Sequence, residues 1–313
     1  MMKCLVSISA FLFILNGVCG QEDSLDNERL AKMISLSEVV MRSDLNVATF
    51  IRRVKEDTSF YKAFRNLNVV EFTALNDIRL VDKKGKLKAS LNSKTRQHRR
   101  RGCRSVEVLE EKTTGDFFDR KHDYNYFTGK MYASLFIPRD SACGETNIVK
   151  GAEFSLRSKK GVEKNKEQLK MLFFNPGKKI RGIPFMGVKI DIFDPDRARY
   201  YHFSIDRSDF RGEPCFIFTI RAREDLPPGR EDKIIIDNMV TWFHARTMEV
   251  LARTYDMSYN AGVYDFDVHM EVELGKVGPY LLPHTIRYKG NWDLVFKKRE
   301  RGTFTATLFD FDF

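Results

Sequence analysis

The sequence predicts an α+β protein: a large curved antiparallel sheet, or half-barrel, with N-terminal amphipathic helices covering one face. Three observations carry this reading. Apolar residues recur at helical spacing between Val47 and Leu67, and period two takes over from Val69. The C-terminal third is then a succession of alternating segments separated by Gly, Pro, Asp and Asn.

The first element is a leader. Residues 1–20 carry Lys3, an apolar run over 5–15, and the small-residue ending Val18-Cys19-Gly20, followed by polar Gln21, Glu22 and Asp23. That order is a cleavable secretory signal, with a core too short to span a bilayer. Gln21 is the expected first residue of the mature chain. Cys19 raises bacterial lipidation as an alternative, against which Asn16, Gly17 and Val18 make a poor lipobox. No later stretch reaches about 18 uninterrupted apolar residues, so the mature chain is expected to have no transmembrane segment. It also contains no N-x-S/T acceptor, which favours a bacterial periplasm or envelope over a eukaryotic secretory route.

Residues 21–34 read as a polar N-terminal segment and 35–313 as one α+β domain, with helices over 35–67 and antiparallel sheet over 69–313. Ser35-Leu36-Ser37-Glu38 has the form of a capping box. Val47, Phe50, Ile51 and Val54 make one apolar stripe; Phe60, Ala63, Phe64 and Leu67 make a second. Both helices should therefore lie on the sheet.

VVEFTALNDIRLVD and KLKASLNSKT read as strands joined through Lys83-Lys84-Gly85-Lys86, and SVEVLEEKTTGDFFD as a third. A short helix is expected around 131–135, and a second over 163–174, ended by Asn175-Pro176-Gly177. Asp194-Pro195-Asp196 looks like a turn. YYHFSID, PCFIFTIRARE, KIIIDNM, VYDFDVHMEVEL, PHTIRYKG, DLVFKKRE and TFTATLFDF then follow as an antiparallel meander. The ambiguous TWFHARTMEVLARTYDM is expected as strand, since it follows IIID and precedes hairpin-like Asn260-Ala261-Gly262.

In VYDFDVHMEVEL, Phe266, Val268, Met270 and Val272 point one way, while Asp265, Asp267, His269 and Glu271 point the other. One face is apolar and one wet. The terminal TATLFDFDF resembles the last strand of an outer-membrane barrel. Amphipathic helices and the charged run SKKGVEKNKEQLK are incompatible with alternating segments throughout, so a soluble sheet is expected.

The formal charge of +10 is spread along the chain, and export removes nucleic acid as a partner. The densest cluster, RQHRRRGCR, makes Arg99, Arg100, Arg101 and Arg104 the candidate site for an anionic headgroup, or else a solvated hairpin tip. Of the cysteines after the signal, Cys215 lies in apolar CFIFTI, while Cys103 and Cys143 could pair in an oxidising compartment. Asp265, Asp267 and His269 could ligate a metal, but a solvated face pairing with Lys297 and Arg299 is the reading preferred; no metal or other cofactor is expected. His122-Asp123 lacks an implied nucleophile. No G-x-S-x-G, S-x-x-K, P-loop or Rossmann pattern occurs, so an enzyme is not expected.

Residues 233–311, carrying KIIIDNMVTWFHARTMEVLARTYD, FDVHMEVEL and LLPHTIRYKGNWDLVFKKRE, resemble the periplasmic lipoprotein carriers of the Lol type. The resemblance implies an incomplete barrel closed by helices and holding an acyl chain. The function expected is an exported, non-enzymatic envelope protein binding an apolar or lipid-like ligand on Phe266, Val268, Met270 and Val272. An assembly protein docking an envelope partner, or a secreted enzyme with an unrecognised site, are the alternatives.

Overall fold

The computed structural model describes residues 18–41, 43, 45–137, 141–149, 154–155, 172–178, 180–181, 189–226, 234–260, 264–294 and 299–313. The apolar core of the signal and residues 163–171 of the expected second helix lie outside them, as do Lys297 and most of the Asn260-Ala261-Gly262 turn.

Helices α1 (Val18–Lys32), α2 (Glu38–Met41), α3 (Val47–Glu56), α4 (Ser59–Asn66), α5 (Phe127–Phe136) and α6 (Pro195–Ala198) accompany fourteen strands. These are β1 (Ile34–Leu36), β2 (Glu71–Val81), β3 (Leu87–Arg100), β4 (Cys103–Thr114), β5 (Ala142–Cys143), β6 (Phe154–Ser155) and β7 (Ile180–Arg181). They continue as β8 (Tyr201–Phe210), β9 (Glu213–Ala222), β10 (Ile236–His244), β11 (Val250–Asn260), β12 (Tyr264–Val277), β13 (Tyr280–Leu294) and β14 (Glu300–Asp312).

Twelve strands form one open curved sheet in the order β1-β8-β9-β10-β11-β12-β13-β14-β2-β3-β4-β5. The C-terminal strand thus joins the β8–β13 meander to the β2–β4 meander. Register follows the apolar alternation. One inward rank runs Ile34, Phe203, Ile220, Met239, Tyr255, Met270, Tyr288, Phe304, Ile78, Leu91 across ten strands. A one-residue slip would expose every member, and each buried side chain contributes about 1.5–3 kcal/mol, so the register is firmly held.

The helices cover this face. Asn46 caps α3, its side chain accepting from the Thr49 amide at 2.8 Å. Phe50 then meets Phe216, Phe218 and Phe243 edge-on at 5.7, 5.7 and 5.9 Å. On α4, Phe60 and Phe64 are buried, and Phe64 stacks on Phe174 at 3.9 Å. Tyr132 of α5 packs against Phe304 at 5.5 Å.

Several expectations need amending. The sheet is mixed, because β1 pairs with β8 in parallel. Residues 18–32, of which 21–32 belong to the expected polar segment, form α1, and the Ser37 carbonyl, within the expected capping box, starts α2 by accepting from Met41 at 2.9 Å. The ambiguous TWFHARTMEVLARTYDM is two strands, β10 and β11, separated by a tight turn in which Met248 adopts a φ of 62°. Asp194-Pro195 opens α6 by an Asp194 cap on the Asp196 amide, because Pro at the first helical position lacks only an N–H that would be unpaired anyway.

Candidate ligand site

The four predicted apolar residues stand where period two places them, side by side on the inner face of β12. Phe266, Val268, Met270 and Val272 are 2%, 0%, 1% and 1% exposed. Their cover comes from β13 and from residues 172–174, which are helical as the end of the helix expected over 163–174. Trp292 lies 4.9 Å from Phe266, while Phe173 meets the rings of Tyr288 and Trp292 at 5.7 and 6.2 Å. The Tyr255 hydroxyl donates to the Phe173 carbonyl and holds that helical segment against the sheet.

One rank away from the aromatics, the inner face loses its side chains. Val268 pairs with Gly290, Gly290 with Gly302, and Gly302 with Leu80. The space over Gly290 is taken by the Tyr288 hydroxyl and the Trp292 indole, which donates its Nε1–H to that hydroxyl. The space over Gly302 is taken by Thr128 of α5 and by Leu80.

Trp292 also forms part of the wall of a solvent-facing cleft of about 480 Å³ between the start of α5 and strands β2, β3, β13 and β14. Leu80, Val81, Phe127 and Trp292 supply its apolar surface, with Phe127 and Trp292 rings 5.7 Å apart. Lys88, Lys130 and Arg299 face Asp116 and Glu300 across it. Each of those carboxylates is already engaged. Glu300 accepts from the Phe127 and Thr128 amides at 2.8 and 2.6 Å, which secures the N-terminus of α5. Asp116 accepts from the Tyr126 hydroxyl; burial, then this bond, push the phenol well above its usual range. Arg299 is held by Asp265 and by Asp293, the latter at 3.2 Å. Lys88 and Lys130 are exposed, and among the described residues neither has an ion-pair partner. The Lys88 ammonium lies 5.3 Å above the Tyr126 ring.

Of the four arginines of the anion candidate, Arg99 and Arg104 are direct partners across the β3–β4 pair, and Arg100 and Arg101 lie at its turn. Arg101 and Gly102, with φ of 51° and 77°, form the two-residue turn between β3 and β4, leaving Arg100 and Arg101 exposed. Arg99 donates its amide to Glu71 at 2.7 Å, and Arg104 bridges Glu145 and Gln97. Cys103 and Cys143 are disulfide-bonded beside this turn, and Cys215 is free and buried.

On the outer face, Asp265 takes Arg299, and His269 lies 2.6 Å from Asp256 and 3.1 Å from Glu271. Asp265 and His269 of the triplet are therefore engaged in cross-strand and same-strand pairs. His122 stacks on Phe118 at 4.0 Å.

Two buried cations escaped sequence reasoning. Lys178 donates to the carbonyls of Val54, Lys55 and Asp57 at 2.9, 2.5 and 2.9 Å, closing the C-terminal end of α3. Burial draws its ammonium down to about 8, with Asp57 opposing. Arg253 sits 4.4 Å above the Phe60 ring and donates to Thr241 at 3.0 Å. It faces inward by the ordinary alternation of β11, on the same side as Tyr255 and Met257 and between Thr241 and Val272.

No family model matches the chain, and no curated protein matches it. The chain is similar to three solved structures of bacterial proteins. A DUF1329 family protein from Desulfovibrio piger shares 11% identity over 81% of this chain and 92% of that one, at a TM-score of 0.25. An outer membrane lipoprotein-sorting protein domain from Vibrio parahaemolyticus shares 11% over 92% and 93%, at 0.26. A LolA superfamily protein from Nitrosomonas europaea shares 9% over 82% and 91%, at 0.25. Superpositions this loose assign no function.

Proposed function

We propose that this chain is an exported, non-enzymatic envelope protein that binds an apolar or lipid-like molecule against the inner face formed by Phe266, Val268, Met270 and Val272. One observation carries the reading. A mixed apolar and charged cleft of about 480 Å³ is separated from Phe266 by a single side chain, Trp292. Concave sites of this size with an apolar wall and a few polar groups suit small amphiphiles. The leader over residues 1–20 supports export, and among the described residues no helix is long and apolar enough to cross a membrane.

The test is binding by delipidated, folded protein of a fluorescent fatty acid, with mass spectrometry of molecules co-purifying from the native source. Saturable binding with a matching co-purified amphiphile is expected. No saturable binding and no enriched molecule would leave the docking reading ahead. That second reading is favoured by β4, where neighbouring Val108 and Leu109 are 48% and 44% exposed.

A further inference from the structure

Resting on that reading, we infer that the cleft is the portal of the site, that Lys88 and Lys130 bind the anionic head group of a single-chain amphiphile, and that the Trp292 indole is displaced as the chain enters.

The charge pattern selects the head group. Of the charged groups lining the cleft, Glu300 is spent on two α5 amides, Asp116 on Tyr126, and Arg299 on Asp265 and Asp293. Lys88 and Lys130 are left as the cations with no carboxylate at ion-pair distance among the described residues; Asp82 and Asp119, outside the cleft lining, act on them only at longer range. They come from different elements, β3 and α5, and the Tyr126 ring beneath Lys88 helps hold its ammonium at the cleft. An anionic oxygen completes both, through charge-assisted hydrogen bonds. A hydroxyl head gains less, and an ammonium head is repelled.

The glycine rank gives the chain somewhere to go. At Gly290 and Gly302 the sheet contributes no side chain, and the nearest groups above Gly290 reach in from the side, from Tyr288 and Trp292. Rotating the indole breaks one neutral hydrogen bond and joins the cleft to the space above Val268 and beside Phe266. An alkyl chain entering there replaces the apolar contacts that the indole gives up. The cleft and the predicted apolar face then form one site with a polar mouth and an apolar end.

The chain has two tryptophans, so Trp242→Phe makes Trp292 the sole indole reporter. This variant is titrated with laurate, dodecyl phosphate and dodecanol, following Trp292 emission and, separately, heat. Both anions are expected to bind about tenfold or more tightly than dodecanol, as charge-assisted bonds imply, and to change Trp292 emission. Whichever anion binds better identifies the head as carboxylate or phosphate. Adding Lys88→Met and Lys130→Met should remove the anion preference while dodecanol affinity is retained; both side chains are exposed, so folding is preserved.

Equal affinity for laurate and dodecanol, or a preference surviving the double lysine change, overturns the head-group assignment and leaves the carrier reading standing. Heat of binding without any Trp292 response overturns the portal. Binding of none of the three overturns the inference and the carrier reading together.

Discussion

The Trp292 indole donates to the Tyr288 hydroxyl directly over Gly290, a residue whose lack of a side chain makes the bond possible. A β-carbon at 290 would stand 2.8 Å from the indole nitrogen and closer still to the hydroxyl. Both aromatics are buried, so neither can swing into water without exposing the core. Gly290→Ala is therefore expected to destabilise the protein by about 1–3 kcal/mol, the usual scale of overpacking. Reversible urea denaturation measures this. An unchanged midpoint would show that Tyr288 and Trp292 have other rotamers available at no cost.

Phe64 anchors α4 to the helical segment 172–174 through its stack on Phe174. Phe64→Ala leaves a cavity beneath that helix, and the expected loss is about 3–5 kcal/mol. The same denaturation experiment checks it; a loss under about 1 kcal/mol would mean that α4 collapses readily into the space.

Lys178 makes stability depend on alkaline pH. Its folded-state value of about 8 lies below that of an unfolded lysine. Between the two, the unfolded chain binds more protons, so stability rises as pH increases from about 8 towards about 10.4. Lys178→Met should remove this rise. Comparing unfolding free energies of the two proteins at about pH 7.5 and about pH 10 isolates the contribution of the group.

His269 works in the opposite direction. Burial opposes its positive charge, but bonds to Asp256 and Glu271 outweigh that and raise its pKa. The stabilisation is thus complete below the unfolded value of about 6.5 and is lost as pH rises through the folded value above it. His269→Gln is expected to flatten this part of the profile. An NMR titration placing His269 below about 6.5 would contradict the assignment.

The Cys103–Cys143 disulfide closes a loop with a sequence separation of 40. Loop-closure entropy for that length predicts a loss of about 4 kcal/mol on reduction. The segment 141–149 also binds α4 through Lys62 to the Asn147 carbonyl and Asn147 to Asn66, at 2.7 and 2.9 Å. Hydrogen exchange after reduction should therefore rise first at 142–147.

Local alternation and helical spacing determined much of this protein. Period two at Phe266, Val268, Met270 and Val272 orients each side chain by strand geometry alone, and the stripes of α3 and α4 name their buried faces for the same reason. The tertiary structure decided what those rules do not reach. It brought Lys88, Lys130 and Trp292, from β3, α5 and β13, to one cleft, although nothing local marks them as neighbours. It set Gly290 opposite Gly302, a match that depends on the registers of β13 and β14. It buried Arg253 between Thr241 and the Phe60 ring, against the ordinary preference of a charged side chain for water. It also set Arg99 directly opposite Arg104 across the β3–β4 pair, with the Arg99 amide on Glu71 and the Arg104 guanidinium on Glu145. Side-chain direction is a property of the strand; convergence is a property of strand order and register, which non-local pairing alone establishes.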